Sequence, residues 1–239
     1  MREVWSDIHN THSQQNSALL SLLETGVETM KVLVACEYSG RVREAFRKLG
    51  HDAWSCDLEP AEDHQEYHLQ EDVLKVIDWQ NWDMMIAFPP CTYLSRAGAR
   101  WLYKDGIINE DRYKLMQEGR EFFMTLWNCD IPRIAIENPT PFKIAELPLY
   151  SQIIQPYQFG DPYTKRTLLW LKRLPELLPT NVVEPVAPWV QSNTGGRARA
   201  QKYHPGIARN EKDRSRTFPG IAEAMADQWS NPLTLERWT

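Results

Sequence analysis

Lys31-Val-Leu-Val-Ala-Cys36, Glu37-Tyr-Ser-Gly40 and Arg41-Val-Arg-Glu-Ala-Phe-Arg-Lys-Leu49 follow one another without a break. The first is a nearly continuous apolar run, the pattern of a strand buried on both faces. The second reads as a turn, and the third as a helix that Gly50 closes with a left-handed cap. The same rhythm continues down the chain. His51 to Cys56 reads as a second strand ending at Asp57, and Asp72 to Ile77 as another helix start. Asp83 to Phe88 is a strand running into Pro89-Pro90-Cys91, where two prolines must end any ladder. Tyr113, Met116, Phe123 and Leu126 recur at helical spacing between Glu110 and Trp127. Ile131 to Ile136 is a further strand, followed by Glu137-Asn138-Pro139. Later strands are expected at Ile153 to Phe159 and Thr167 to Leu171, and a last helix at Pro219 to Trp229. Strands alternating with helices imply right-handed crossovers and a doubly wound, mainly parallel α/β sheet covered on both faces. Ligands of such sheets lie beyond the carboxyl ends of the strands. Glu37 to Gly40, Asp57, Pro89 to Cys91 and Glu137 to Pro139 all fall there.

The length, 239 residues, suits one sizeable domain with short additions. Residues 1–29 are polar and irregular apart from an amphipathic stretch, Ser17 to Glu24, and read as an appendage to a domain spanning 30–239. The longest apolar runs are of the order of Met84 to Phe88, too short to span a membrane, and the N-terminus has no secretory pattern, so a cytoplasmic chain is expected. Cys36, Cys56, Cys91 and Cys129 show no Cys-x-x-Cys spacing and read as reduced thiols, with no metal site. A net charge of -5 excludes a uniformly basic nucleic-acid binder. It leaves room for a local basic segment. Gly195 to Arg216 carries seven Lys and Arg, including Arg197, Arg199 and Lys202, against two acidic residues. That segment is either a solvated loop or a phosphate-contacting one. Of the ten tryptophans, Trp54, Trp127 and Trp170 sit in apolar patterns and are expected in the core, whereas Trp101 and Trp189 lie in loops that suit base stacking.

Two strand-end loops hold chemistry-bearing residues. Cys91 is a thiol on a proline-stiffened loop, and Glu137 is a carboxyl beyond another strand. Each alone is ordinarily structural, as a packed thiol or a helix cap. Together they suit addition to a nitrogen heterocycle: a thiolate adds to carbon 6 of a pyrimidine while a carboxylic acid with a raised pKa serves ring nitrogen 3, which makes carbon 5 nucleophilic.

Pro89-Pro90-Cys91 with Ser95 and Gly98, followed by Glu137-Asn138, resembles the catalytic motifs of the DNA cytosine 5-methyltransferases, in order across roughly residues 31–171. The resemblance implies the Rossmann-like fold of S-adenosylmethionine-dependent methyltransferases, S-adenosylmethionine as cofactor, Cys91 as covalent nucleophile and Glu137 as its catalytic partner. It places the cofactor against Glu37, Tyr38, Ser39, Gly40, Asp57, Asp72 and Pro89, with Asp57 on the ribose and Asp72 beside the adenine. It places the substrate, cytosine in DNA or a cytosine nucleotide, against Pro90, Ser95, Asn138, Lys165, Arg197, Arg199 and Lys202. Two features depart from the family. Only Gly40 survives of its glycine-rich cofactor loop, and residues 172–218, rich in proline and basic residues, read as a loop in place of a target-recognition domain. A protein partner supplying sequence recognition is one consequence. A catalytically silent protein that keeps the fold to bind a nucleotide or a partner is the other reading.

Overall fold

The computed structural model describes residues 29–96, 99–104, 106–190, 192–194, 202–204, 206–208 and 210–230. Seven strands form one sheet: β1 (Lys31–Ala35), β2 (Asp52–Asp57), β3 (His68–Gln70), β4 (Met84–Ala87), β5 (Arg133–Asn138), β6 (Gln152–Ile154) and β7 (Thr167–Lys172). Their order across the sheet is β3-β2-β1-β4-β5-β7-β6. β1 to β5 are mutually parallel, and β7 runs antiparallel to both β5 and β6. The chain order turns back between β1 and β4, the switch point at which doubly wound sheets bind ligands.

Period-two alternation explains the apolar runs. Val32 and Val34 of β1 join one core with Met84 and Ile86 of β4, while Leu33 and Ala35 join a second with Met85 and Ala87. The first core is closed by α1 (Arg41–Lys48) and a C-terminal helix, Pro219–Trp229. The second is closed by α2 (Val73–Val76) and α3 (Glu110–Asn128). In α3 the expected stripe is realised by the buried Met116, Phe123 and Leu126. Asn109 caps that helix by accepting the Arg112 N–H at 3.1 Å, and Glu110 and Asp111 complement the dipole of its first turn. Trp170 is fully buried, edge-on to Phe123 at 5.2 Å, with its indole N–H on the Pro148 carbonyl.

Several expectations change. β5 runs two residues further than its apolar run predicted, so Glu137 and Asn138 are its last residues; β7 pairs there, with Leu169 opposite Glu137 and Leu168 opposite Asn138. The strand expected at Ile153 to Phe159 is cut short by Pro156, which opens a 3-10 turn, Pro156–Gln158. β3 carried no signal, being three residues of mixed polarity. Residues 172–218, expected as a loop, contain the strand pair Ser192–Thr194 and Lys202–His204, a short strand Ala187–Pro188 paired with Tyr163–Thr164, and a helical turn α4 (Glu211–Ser215). The Pro219–Trp229 helix is α5, with Pro219 in its first turn. No described helix is long and apolar enough to cross a membrane. The stretch Ser17 to Glu24 lies outside the described residues.

Candidate functional site

The β1–α1 turn is finished from within. Cys36 takes a left-handed conformation (φ 58°), as does Gly40 (φ 71°), and the chain between them folds so that the Glu37 carboxylate lies under the start of α1. That carboxylate accepts the Val42 N–H at 2.8 Å, the Arg43 N–H at 3.3 Å and the Ser39 hydroxyl at 3.2 Å. Glu37 is 4% exposed, and burial raises its pKa to about 6 against the pull of those donors. Gly40 is required for a local reason as well as for its positive φ: a Cβ there would run into the Asp63 carboxylate and the Arg43 guanidinium. Fully buried Arg43 bonds Asp63, Glu44 and Ser55, tying the segment after β2 down over the turn.

At the end of β2, Asp57 is half-buried, and its carboxylate accepts the Glu59 N–H at 3.0 Å; burial raises its pKa. The Asp57 charge is felt next door, since burial first and Asp57 second push the Cys36 thiol far up, and burial carries Cys56 to about 12. Both cysteines are therefore protonated thiols near neutral pH. Asp72 caps α2, accepting the Leu74 N–H at 3.0 Å.

The β4 and β5 ends are joined. Parallel register sets Ala87 beside Ile136, so Phe88-Pro89, which leave β4, run beside Glu137-Asn138, the last two residues of β5. Asn138 is fully buried and donates its amide to the Pro89 carbonyl at 3.2 Å, while its Oδ1 has no hydrogen-bond partner. Beyond Pro90, which is exposed, and Cys91, which is half-buried, the Cys91 carbonyl accepts the Ser95 N–H at 2.9 Å. The buried Ser95 bridges to Pro141, and Arg96 N–H reaches the Thr140 carbonyl, so the loop is laced to the segment after β5. Gly98 lies outside the described residues.

Glu137 is half-buried and lines a cavity of about 20 Å³ with Phe88, Lys165, Thr167, Thr217 and Phe218 among its walls. Burial raises its pKa, opposed by the Lys165 ammonium and then by Thr167. Cys91 is not in that wall. The space is of the order of one water. Ser215, Thr217 and Phe218 form its roof, and the segment Asn210 to Phe218 that carries them is fastened at several points. The Tyr38 hydroxyl meets Ser215 Oγ at 2.8 Å, Arg41 donates to the Thr217 carbonyl at 2.7 Å, and Lys165 Nζ donates to the Arg214 carbonyl at 3.0 Å. Arg216 is paired with Glu62 and Asp213.

These contacts redirect part of the basic segment. Lys212 lies 5.4 Å from the Tyr38 ring centroid and Arg216 is committed to carboxylates, so both cations hold the chain to itself. Arg197 and Arg199 lie outside the described residues; Lys202 is placed by its backbone, opposite Thr194. Trp189, expected as a stacking surface, is instead packed against Tyr163 at 4.9 Å and Phe218 at 5.0 Å, whereas Trp101 is 58% exposed. Thr167 and the Asn210 to Phe218 roof were not legible in the sequence. They reach the site through the antiparallel β7 and a long return of the chain, neither of which leaves a local motif.

No protein-family model matches this chain, and no curated protein matches it. Among solved structures it is similar to the methyltransferase EhMeth of Entamoeba histolytica, at 15% identity and a TM-score of 0.43, over 65% of this chain and 58% of that one. It is also similar to an rRNA methylase from Escherichia coli, at 16% identity and a TM-score of 0.32, over 64% of this chain and 61% of that one. The chain thus spans less than two thirds of either structure. The sheet, with a single strand reversed, is a doubly wound, mainly parallel α/β sheet of the Rossmann-like kind.

Proposed function

We propose that this chain is an S-adenosylmethionine-dependent methyltransferase acting at carbon 5 of cytosine, in DNA or in a cytosine nucleotide, through a covalent adduct on Cys91. The observation that carries the reading is the joining of the loop after β4 to the end of β5: Asn138, the last residue of β5, ties Pro89 to that strand beside Glu137, a carboxyl whose pKa burial has raised. A raised pKa favours the protonated carboxyl that ring nitrogen 3 requires.

The residues present fit the cofactor at the β2 end. Half-buried Asp57 suits ribose hydroxyls beside the switch point, with Pro89 on the neighbouring strand end. When bound, S-adenosylmethionine supplies the electrophilic methyl group that carbon 5 takes up. The chain's own residues do the rest. The Cys91 thiolate adds to carbon 6, and Glu137 shares its proton with nitrogen 3, so the electron pair arrives at carbon 5. Loss of the carbon 5 proton to a base then restores the double bond and expels Cys91, which leaves the thiol unchanged overall. The roof over Glu137 must move for a base to enter, because the cavity is far smaller than a pyrimidine.

Trapping tests the proposal. With 5-fluorocytosine in DNA oligonucleotides or as a free nucleotide, the adduct cannot shed fluorine as a cation, so protein mass rises by the whole oligonucleotide or nucleotide plus a methyl group. Cys91→Ala removes the adduct; an adduct that persists in that variant overturns the mechanism. The saturated β1–α1 turn favours one second reading, a silent protein binding a nucleotide or a partner, and native protein that binds no S-adenosylmethionine at millimolar concentration supports it.

A further inference from the structure

The first turn of a doubly wound sheet ordinarily offers its helix N-terminus to a ligand's phosphate. Here that N-terminus is spent. Of the N–H groups that a helix start leaves open, those of Val42 and Arg43 bond Glu37 and that of Arg41 faces Ser39 Oγ at 3.5 Å, before the helix's own ladder begins with the Glu44 N–H on the Gly40 carbonyl at 2.8 Å. The group that saturates them is an acid, so the turn carries negative charge where related turns carry a partial positive one. A second carboxylate reinforces it: the Glu37 N–H bonds the Cys56 carbonyl at 3.2 Å, which sets Asp57 on the neighbouring strand end.

We propose that Glu37 fixes the charge class of the ligand at this turn, rejecting phosphate esters and dinucleotides and admitting a nucleoside that bears a sulfonium or ammonium group. This rests on the cofactor reading above and sharpens it, because it makes the departure from a glycine-rich loop a selectivity device. Anionic Glu37 repels phosphate and blocks the N–H groups that would bind it. The same charge favours a cationic sulfur over a neutral thioether.

Calorimetry on the full chain decides it, with S-adenosylmethionine, S-adenosylhomocysteine, ADP and inorganic phosphate as probes. Native protein is expected to bind the sulfonium compound about tenfold or more tighter than the thioether, and to show no heat with ADP or phosphate at millimolar concentration. Glu37→Ser uncovers the helix start and is expected to gain ADP and phosphate binding. Glu37→Gln keeps the acceptor and the fold while losing the charge, and is expected to bind sulfonium and thioether equally. Native protein that binds ADP or phosphate overturns the inference without any variant, as does a Glu37→Gln protein whose preference is unchanged. Native protein that binds neither S-adenosyl compound, with Glu37→Ser still gaining phosphate, leaves the exclusion standing and removes the cofactor reading instead.

Discussion

The β1–α1 turn and the joined β4 and β5 ends sit on one edge of one sheet, yet they are finished in opposite ways. At the turn the Arg41, Val42 and Arg43 N–H groups are engaged by side chains, and Gly40 is covered by the Arg43–Asp63 ion pair. At the β4 and β5 ends a fully buried Asn138 Oδ1 has no partner, and Glu137 faces a cavity. Buried polar groups left unpaired cost of the order of 1–3 kcal/mol, so a chain retains them where a ligand supplies the missing bond. On the function proposed above, the contrast separates a surface that selects by charge from one that reacts.

The strongest break of that contrast is at the reactive end. Cys91→Ala is expected to lower methyl transfer by about 10⁴-fold or more, because no other group replaces a covalent nucleophile. Transfer of labelled methyl from S-adenosylmethionine measures it, and full activity without the thiol sinks the division between the two regions. Glu137→Gln is expected to cost about 10² to 10⁴-fold with cofactor binding unchanged. The sign of its pH dependence follows from the raised pKa: the active protonated form is lost as pH rises through that pKa, so the native rate falls on the alkaline side while the Glu137→Gln variant is flat there. A rate profile from about pH 5 to 9 shows which.

At the turn the expected effects are on stability. Gly40→Ala must hold a left-handed φ and push aside Asp63 and Arg43, at a cost of about 2–3 kcal/mol in urea denaturation. Glu37→Gln goes the other way. The native carboxyl has its pKa raised from 4.5 to about 6, so folding favours its protonated form, and its ionisation lowers stability progressively as pH climbs from about 4.5 to 6. Glutamine, which mimics the protonated form, is expected to be more stable than native by about 2 kcal/mol above that range, with the gain vanishing below about pH 4.5. A gain independent of pH contradicts the picture of an acid kept at a cost for selectivity. The smallest effect is expected at the roof: Arg216→Ala breaks exposed pairs with Glu62 and Asp213 and costs at most about 1 kcal/mol globally, although Asn210 to Phe218 is then expected to become the first site of limited proteolysis.

The strand and helix order was legible because apolar periodicity is local: Lys31 to Cys36, Met84 to Ala87 and the Met116, Phe123, Leu126 stripe each declare which faces are buried. The Pro89-Pro90-Cys91 and Glu137-Asn138 segments were equally legible, since proline and a strand end are covalent and local facts. Their joining was not, because the Asn138 to Pro89 bond depends on β4 and β5 pairing in one register across 49 residues. The meaning of Glu37 was hidden for the same reason: a carboxylate in a degenerate glycine loop becomes a helix cap only when the chain folds it beneath α1. Sequence by itself determined most of the core strands and helices and which chemistry-bearing residues stand near their ends, though not β3, the reach of β5 or the short elements within 172–218. Tertiary structure alone decided which of those residues are spent on the fold and which are left to act, because burial and hydrogen-bond partners are set by residues distant in the chain.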